Sequence, residues 1–141
     1  GLDDPDSFAD VLAVLEPGDG ILYVHLAEPE GFGVDRWSVL LHTDRRLAVA
    51  RTLGAVLRLQ DRVSAEDDDL VAVLLDAGRV GVESAWRRLE RAHERSGIGG
   101  VVSGGWGVVE EHEPPFAAHG RARAAVARSI GQPPGDRLWA G

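Results

Sequence analysis

A chain of 141 residues with 44% hydrophobic content carries enough apolar material for one domain with a real core. Its formal charge of −8 excludes a general nucleic-acid or membrane-surface binder, whose affinity comes from Lys and Arg meeting phosphates, so any phosphate it binds needs a local basic pocket. Cys is absent, which excludes disulfides and thiolate metal sites and fits a reducing cytoplasm.

All fifteen basic residues are Arg and Met is absent, from which the expectation is a fragment of a longer protein from a GC-rich genome. No apolar run approaches the roughly 18 residues of a spanning helix, and no charged, apolar, small-residue leader precedes the first element.

Phe8, Val11, Leu12 and Leu15 fall at helical spacing, which predicts a first helix over Ser7 to Leu15 capped by Asp6 or Ser7. Pro17-Gly18-Asp19-Gly20 breaks it, and Ile21 to Leu26 reads as a buried strand. A Gly- and Pro-bearing turn over Glu28 to Gly33 leads to Asp35 to Gln60. That segment reads as two helices broken near His42 to Asp44, with Leu47, Val49, Ala50, Leu53, Val56 and Leu57 on the core side.

Arg62 to Ala65 and Leu70 to Leu75 are strand-prone, and Glu66 to Asp69 is the turn between them, so a hairpin carries four carboxylates at its tip. The plain reading is a solvated acidic turn. The sharper one is a divalent-cation or nucleotide site, since clustered carboxylates suit hard cations, although no Gly or distal Glu follows in register for an EF-hand.

After a loop over Asp76 to Gly81, Val82 to Arg95 reads as an amphipathic helix with Trp86, Leu89 and His93 inward or at its border, ended by Gly97 to Gly100. Val101 to Val109 is a strand with Gly-rich flexibility, Glu110 to Pro115 a surface loop, Phe116 to Ile130 an Ala- and Arg-rich helix, and Leu138-Trp139-Ala140 a short edge strand. The order implies an α+β, ferredoxin-like architecture: a mixed, mostly antiparallel sheet of about five strands covered by helices.

Other chemistry-bearing side chains have plain explanations. His25, His42, His93, His112 and His119 lack metal-ligand spacing, and only His25 with Asp69 forms a pair worth testing. Trp37, Trp86, Trp106 and Trp139 read as core or interface packing. Arg121, Arg123 and Arg128 read as a solvated helix face. Arg58-x-x-Asp61, taken alone, is an i,i+3 ion pair contributing about 0.3 kcal/mol.

The order of elements and several local strings resemble a GGDEF domain, the diguanylate cyclase fold with its nucleotide-cyclase palm, over residues 1–141 as one domain. Asp61 to Leu75 lies without a gap beside the family string D-T-V-A-R-L-G-G-D-E-F-A-V-L-L and shares Asp61, Val63, Asp69, Ala72, Val73, Leu74 and Leu75. The five signature positions are then Asp67, Asp68, Asp69, Leu70 and Val71. Weaker matches fall in order: Gly1-Leu2 and Phe8 with the G-L-x-N-R-x-x-F opening, Ser103 to Gly107 with the S-I-G-V strand, and Ala127 to Gly131 with the late A-K-x-x-G turn.

The departures imply that catalysis is lost. Where the family's two glycines let backbone amides approach GTP phosphates, Asp67 and Asp68 place side chains and negative charge. The fourth signature position is Leu70 in place of an acid, and the metal-holding Asp of the first strand falls at His25, a poor Mg²⁺ ligand. The D-x-F-K region becomes Ala27 to Phe32, the G-H-x-x-G-D turn becomes Ser38 to Thr43, and the guanine readers have no clear counterpart, although Asp35 lies close. No resident metal or cofactor is implied.

What remains is the product-inhibition site. Arg58-x-x-Asp61 ends at the family's distance before Asp67, and the resemblance implies that Arg58 forks onto guanine or phosphate while Asp61 accepts from guanine N1 and N2 hydrogens. Arg88 falls near where the family supplies a further arginine, with Arg87 or Arg91 as alternatives, and Arg128 stands at a phosphate-binding Lys position. The expectation is a cytoplasmic, catalytically inactive receptor for cyclic di-GMP acting on an attached or partner domain or as a homodimer. The alternative is an interaction or dimerisation domain without nucleotide chemistry, and a remoter one is residual GTP or ATP binding through Asp69.

Overall fold

A computed structural model describes residues 2–29 and 32–141. Gly1 of the motif-like opening, and Glu30 and Gly31 within the turn and the D-x-F-K counterpart, lie outside the described residues. The described elements are α1 (Pro5–Ala13), β1 (Gly20–Ala27), α2 (Arg36–Val56), β2 (Arg62–Glu66), β3 (Asp69–Leu74), α3 (Gly78–Ser96), β4 (Val101–Val108), α4 (Pro115–Ser129) and β5 (Leu138–Ala140).

The strands form one five-stranded sheet in the order β2-β3-β1-β4-β5. β1 pairs antiparallel with β3 and β4, β2 pairs antiparallel with β3, and β5 adds in parallel to β4, so the sheet is mixed but mostly antiparallel, as expected.

Side-chain alternation along the strands divides the core. Leu22, Val24, Leu26, Leu70, Ala72 and Leu74 face Val49 and Leu53 of α2 and Val82, Trp86 and Leu89 of α3. Ile21, Tyr23, Val71 and Val73 face Phe8 of α1 and Ala118, Ala122 and Val126 of α4. Both faces of β1 are therefore covered, which is why it reads as an unbroken apolar run.

Most boundaries shift by one or two residues from the sequence reading, and the larger differences lie in the helices. α1 begins at Pro5, because the Asp4 carboxylate caps the Ser7 amide and proline at the first helical position loses no helical hydrogen bond. α2 is one continuous helix of 21 residues. No Pro or Gly occurs at 42–44, and the polar residues there are anchored rather than helix-breaking: His42 reaches Glu28 and Asp68, and the Thr43 hydroxyl donates to the Val39 carbonyl. Leu47, assigned to the core side, is exposed, whereas Val49 and Leu53 are buried. α3 begins at Gly78, with the Gly81 amide donating to the Ala77 carbonyl, and ends at Gly97 in the left-handed conformation (φ 66°).

The glycines of β4 serve close packing. A Cβ on Gly105 would sit 2.0 Å from the Val126 backbone nitrogen, and one on Gly104 would sit 2.7 Å from the Trp86 ring. β4 is thus the strand against which α4 lies backbone to backbone. Trp86 is buried, but Trp37 is 82% exposed and packs in no core. Among the described residues no helix is long and apolar enough to cross a membrane.

Candidate functional site

The hairpin turns over two residues, Asp67 and Asp68, with Glu66 paired to Asp69 across its mouth. Asp67 has φ 52°, the left-handed backbone that glycine adopts most easily. The backbone thus keeps a glycine-type turn where the resemblance places the first signature glycine, while the side chain is an acid.

Each of the four acids has a protein partner, although Asp67 and Asp68 at the tip stay largely exposed while Glu66 and Asp69 are partly buried. Asp69 projects beside β1, and its Oδ1 accepts from His25 Nδ1 at 2.7 Å. Asp68 Oδ1 lies 3.2 Å from His42 Nε2 on α2, whose Nδ1 lies 2.9 Å from Glu28 Oε1. Asp67 Oδ2 accepts from Arg123 Nη2 of α4 at 3.3 Å. Glu66 accepts from the Tyr23 hydroxyl, from His119 Nε2 at 3.2 Å, and from Arg123 Nη1 at 3.3 Å. From the α2 side, Arg46 Nη2 donates to the carbonyls of Asp67 (3.0 Å) and Asp69 (3.3 Å).

This clamp shifts protonation. Partial burial disfavours the Glu66 carboxylate, but the Tyr23 and His119 hydrogen bonds and the His119 and Arg123 charges outweigh it and hold Glu66 below the usual range. For Tyr23, burial and then the Glu66 carboxylate push the phenol far above its ordinary value. Burial disfavours the His42 imidazolium, yet the bonds to Glu28 and Asp68 prevail and raise its pKa. The same Glu28 also binds Arg45, whose guanidinium lies 5.6 Å from the Phe32 ring centroid.

The donor set does not fit the Mg²⁺ ions that the resemblance implies. His25 and Asp69 bind each other, Leu70 is buried and apolar, and Asp68 faces His42 on the opposite side of the turn. Among the described residues no group of three or more metal-ligating side chains converges.

At the other end of the hairpin, Arg58 and Asp61 form a closed turn. Asp61 Oδ2 accepts from the Arg58 amide (3.0 Å) and Nε (3.2 Å), and Oδ1 accepts from Arg58 Nη2 (3.1 Å) and the Leu75 amide (3.1 Å). Arg58 also donates to the Leu75 carbonyl. The Asp61 side chain is 1% exposed and that of Arg58 45% exposed, so the pair fastens the end of β3 and presents the guanidinium, not the carboxylate, to solvent.

A groove of about 560 Å³ beside the pair is lined by Asp3, Gly54, Leu57, Leu59, Arg62 and Val63. Arg88 is exposed on α3 and forms no hydrogen bond or ion pair with Arg58 or Asp61, and it does not line this groove. Arg87 is engaged with Glu83 of its own helix.

Sequence reasoning missed Tyr23, Glu66, His119 and Arg123 as one cluster. The available signal was a lone tyrosine within a buried apolar run, because its hydroxyl requires a partner. Arg121, read as solvated, donates to Glu113 at 2.5 Å and to the Val108 carbonyl at 3.0 Å; Arg128 is exposed.

No family model and no curated protein sequence matches the chain. Solved structures do match. The GGDEF domain of DgcB from Caulobacter crescentus, in complex with c-di-GMP, has a TM-score of 0.80 at 18% identity, covering 99% of this chain and 91% of that one. The GGDEF domain of PA1120 (YfiN or TpbB) from Pseudomonas aeruginosa has a TM-score of 0.76 at 18% identity over 99% of this chain and 97% of that one. Diguanylate cyclase SiaD of Pseudomonas aeruginosa, in complex with its activator SiaC, has a TM-score of 0.60 at 17% identity over 87% of this chain and 50% of that one. At these identities the likeness is one of architecture, and the chain is a GGDEF-like domain in fold.

Proposed function

We propose that the chain is a catalytically silent GGDEF-type module that receives cyclic di-GMP through Arg58, with Asp61 holding that arginine in place and Arg88 as a second cation. The observation that carries the reading is the half-exposed Arg58 guanidinium, fixed by three hydrogen bonds to the Asp61 carboxylate and Leu75 carbonyl beside an open groove. A planar, pre-ordered guanidinium suits a guanine edge or a phosphate. The DgcB structure, with c-di-GMP bound, lends its fold to this reading.

Loss of cyclase activity follows from the signature end. Phosphoryl transfer depends on positioned metal ions and a phosphate cradle, and here the acids Asp67, Asp68 and Asp69 are engaged with Arg123, His42 and His25. GTP phosphates would meet two extra carboxylates at the turn.

A second reading, docking without nucleotide, is favoured by one observation: both Asp61 oxygens are already occupied within the chain. Thermal unfolding with and without cyclic di-GMP separates the two, since only a ligand that prefers the native state raises the melting temperature. Turnover of GTP with Mg²⁺ or Mn²⁺ would refute the silent-enzyme half of the proposal.

A further inference from the structure

α2 carries an unpartnered apolar stripe. Trp37, Leu40 and Leu41 are 82%, 47% and 45% exposed, and helical periodicity continues their face through Asp44, Ala48, Arg51 and Ala55. Asp44 and Arg51 are exposed and form no hydrogen bond or ion pair among the described residues. An unpaired acid and an unpaired base two turns apart on an otherwise apolar face call for a partner that offers the reverse arrangement.

A second copy of the same helix, running antiparallel, offers it. We infer that α2 is an isologous dimer interface centred between Leu47 and Ala48. In a two-fold antiparallel pair, residues equidistant from the centre meet. Asp44 of each copy then faces Arg51 of the other, twice. Leu40 and Leu41 face Ala55 and Gly54, so large side chains meet small ones.

Gly54 has open space where a Cβ would stand, and it borders a groove of about 390 Å³ lined by Leu2, Leu47, Ala50, Arg51 and Val63 that can take a partner leucine. By the same pairing Trp37 falls opposite Arg58, just past the end of the partner helix and beside the fully exposed Leu59.

Charge selects this register. Sliding the pair by one turn in either direction sets Asp44 and Arg51 opposite apolar residues without a charged partner, an outcome that opposes alternative registers. A 21-residue helix is about 30 Å long and about 10 Å wide, a smaller footprint than the roughly 800 Å² per partner of a standard interface, so the dimer belongs to the weak, concentration-dependent class.

Analytical ultracentrifugation of the chain from about 1 to 200 µM tests the inference. The expected result is a monomer–dimer equilibrium that Asp44→Arg and Arg51→Asp each weaken at least tenfold and that the double exchange Asp44→Arg with Arg51→Asp restores. Both positions are exposed, and circular dichroism checks that each variant folds. A monomer over the whole range overturns the proposal, as does a dimer indifferent to Leu41→Glu. Weakening by both single changes without recovery in the double exchange overturns the antiparallel register.

Discussion

His25 Nδ1 on β1 and Asp69 Oδ1 at the start of β3 lie 2.7 Å apart across the paired strands, each side chain about one-fifth exposed. This imidazole–carboxylate pair occupies the place where two acids would hold a metal by resemblance. Its partners are satisfied without any ion. Replacing His25 with Asp puts two carboxylates face to face, and like charges at that distance oppose each other. We expect His25→Asp to lower stability by about 1 kcal/mol, with millimolar Mg²⁺ raising the melting temperature of the variant more than that of the parent chain. Equal Mg²⁺ responses would show that the pair does not stand in for a metal ligand.

Tyr23 is the sole tyrosine, so its ionisation is directly visible. Burial and the Glu66 carboxylate both disfavour the phenolate, and the folded chain should develop no tyrosinate absorbance near 295 nm until it unfolds. A phenol whose pKa is raised on folding contributes stability below its unfolded value of about 10 and loses it as pH climbs past that point. Tyr23→Phe removes a hydrogen bond to a carboxylate and should cost about 1.5–3 kcal/mol in urea unfolding.

Two carboxylates, Glu66 at the hairpin and Glu113 in the β4–α4 loop, and the His42 imidazole set opposite limits on pH stability. Glu66 and Glu113 are held low, the former against burial by Tyr23, His119 and Arg123, the latter against slight burial by the Glu110 amide and Arg121. Their contributions are present above the ordinary Glu range and vanish as pH falls through the depressed values. His42 is raised, so its contribution is complete below about pH 6.5 and fades as pH rises past its folded value. Melting temperature against pH should therefore peak in the mildly acidic region, and His42→Gln should remove the decline on the alkaline side.

Gly105 and Gly120 offer a matched contrast. A Cβ on Gly105 collides with the α4 backbone, whereas one on Gly120 meets nothing within 4 Å. Gly105→Ala should destabilise by about 2 kcal/mol or more through overpacking, and Gly120→Ala, inside helix α4, should stabilise by about 0.5–1 kcal/mol. Chemical denaturation of the two variants decides between close packing and flexibility as the reason for the glycines of β4.

The hairpin was legible because strand alternation and the gap-free string over Asp61 to Leu75 agree with each other, although its turn is two residues and not the four expected, since Glu66 and Asp69 pair as strand residues. The order of elements was legible for the same reason, except that α2 was read as two helices: each apolar run had the period of its element. Continuity of α2 was not, since the polar residues near His42 read as a break and their anchors lie 14 and 26 residues away at Glu28 and Asp68. The Tyr23–Glu66–His119 cluster spans separations of 43 and 96 residues and leaves no local pattern. The acidic turn was visible, but not that every one of its acids has a partner.

The account rests most heavily on Arg58. Calorimetric titration of cyclic di-GMP into the chain, alongside Arg58→Ala, Arg88→Ala and GTP as a control ligand, tests it most directly. The prediction is micromolar binding that weakens at least tenfold, about 1.4 kcal/mol, in each arginine variant while both remain folded, with no comparable binding of GTP. Absence of binding to the parent chain at tens of micromolar, or equal affinity in both variants, would contradict it.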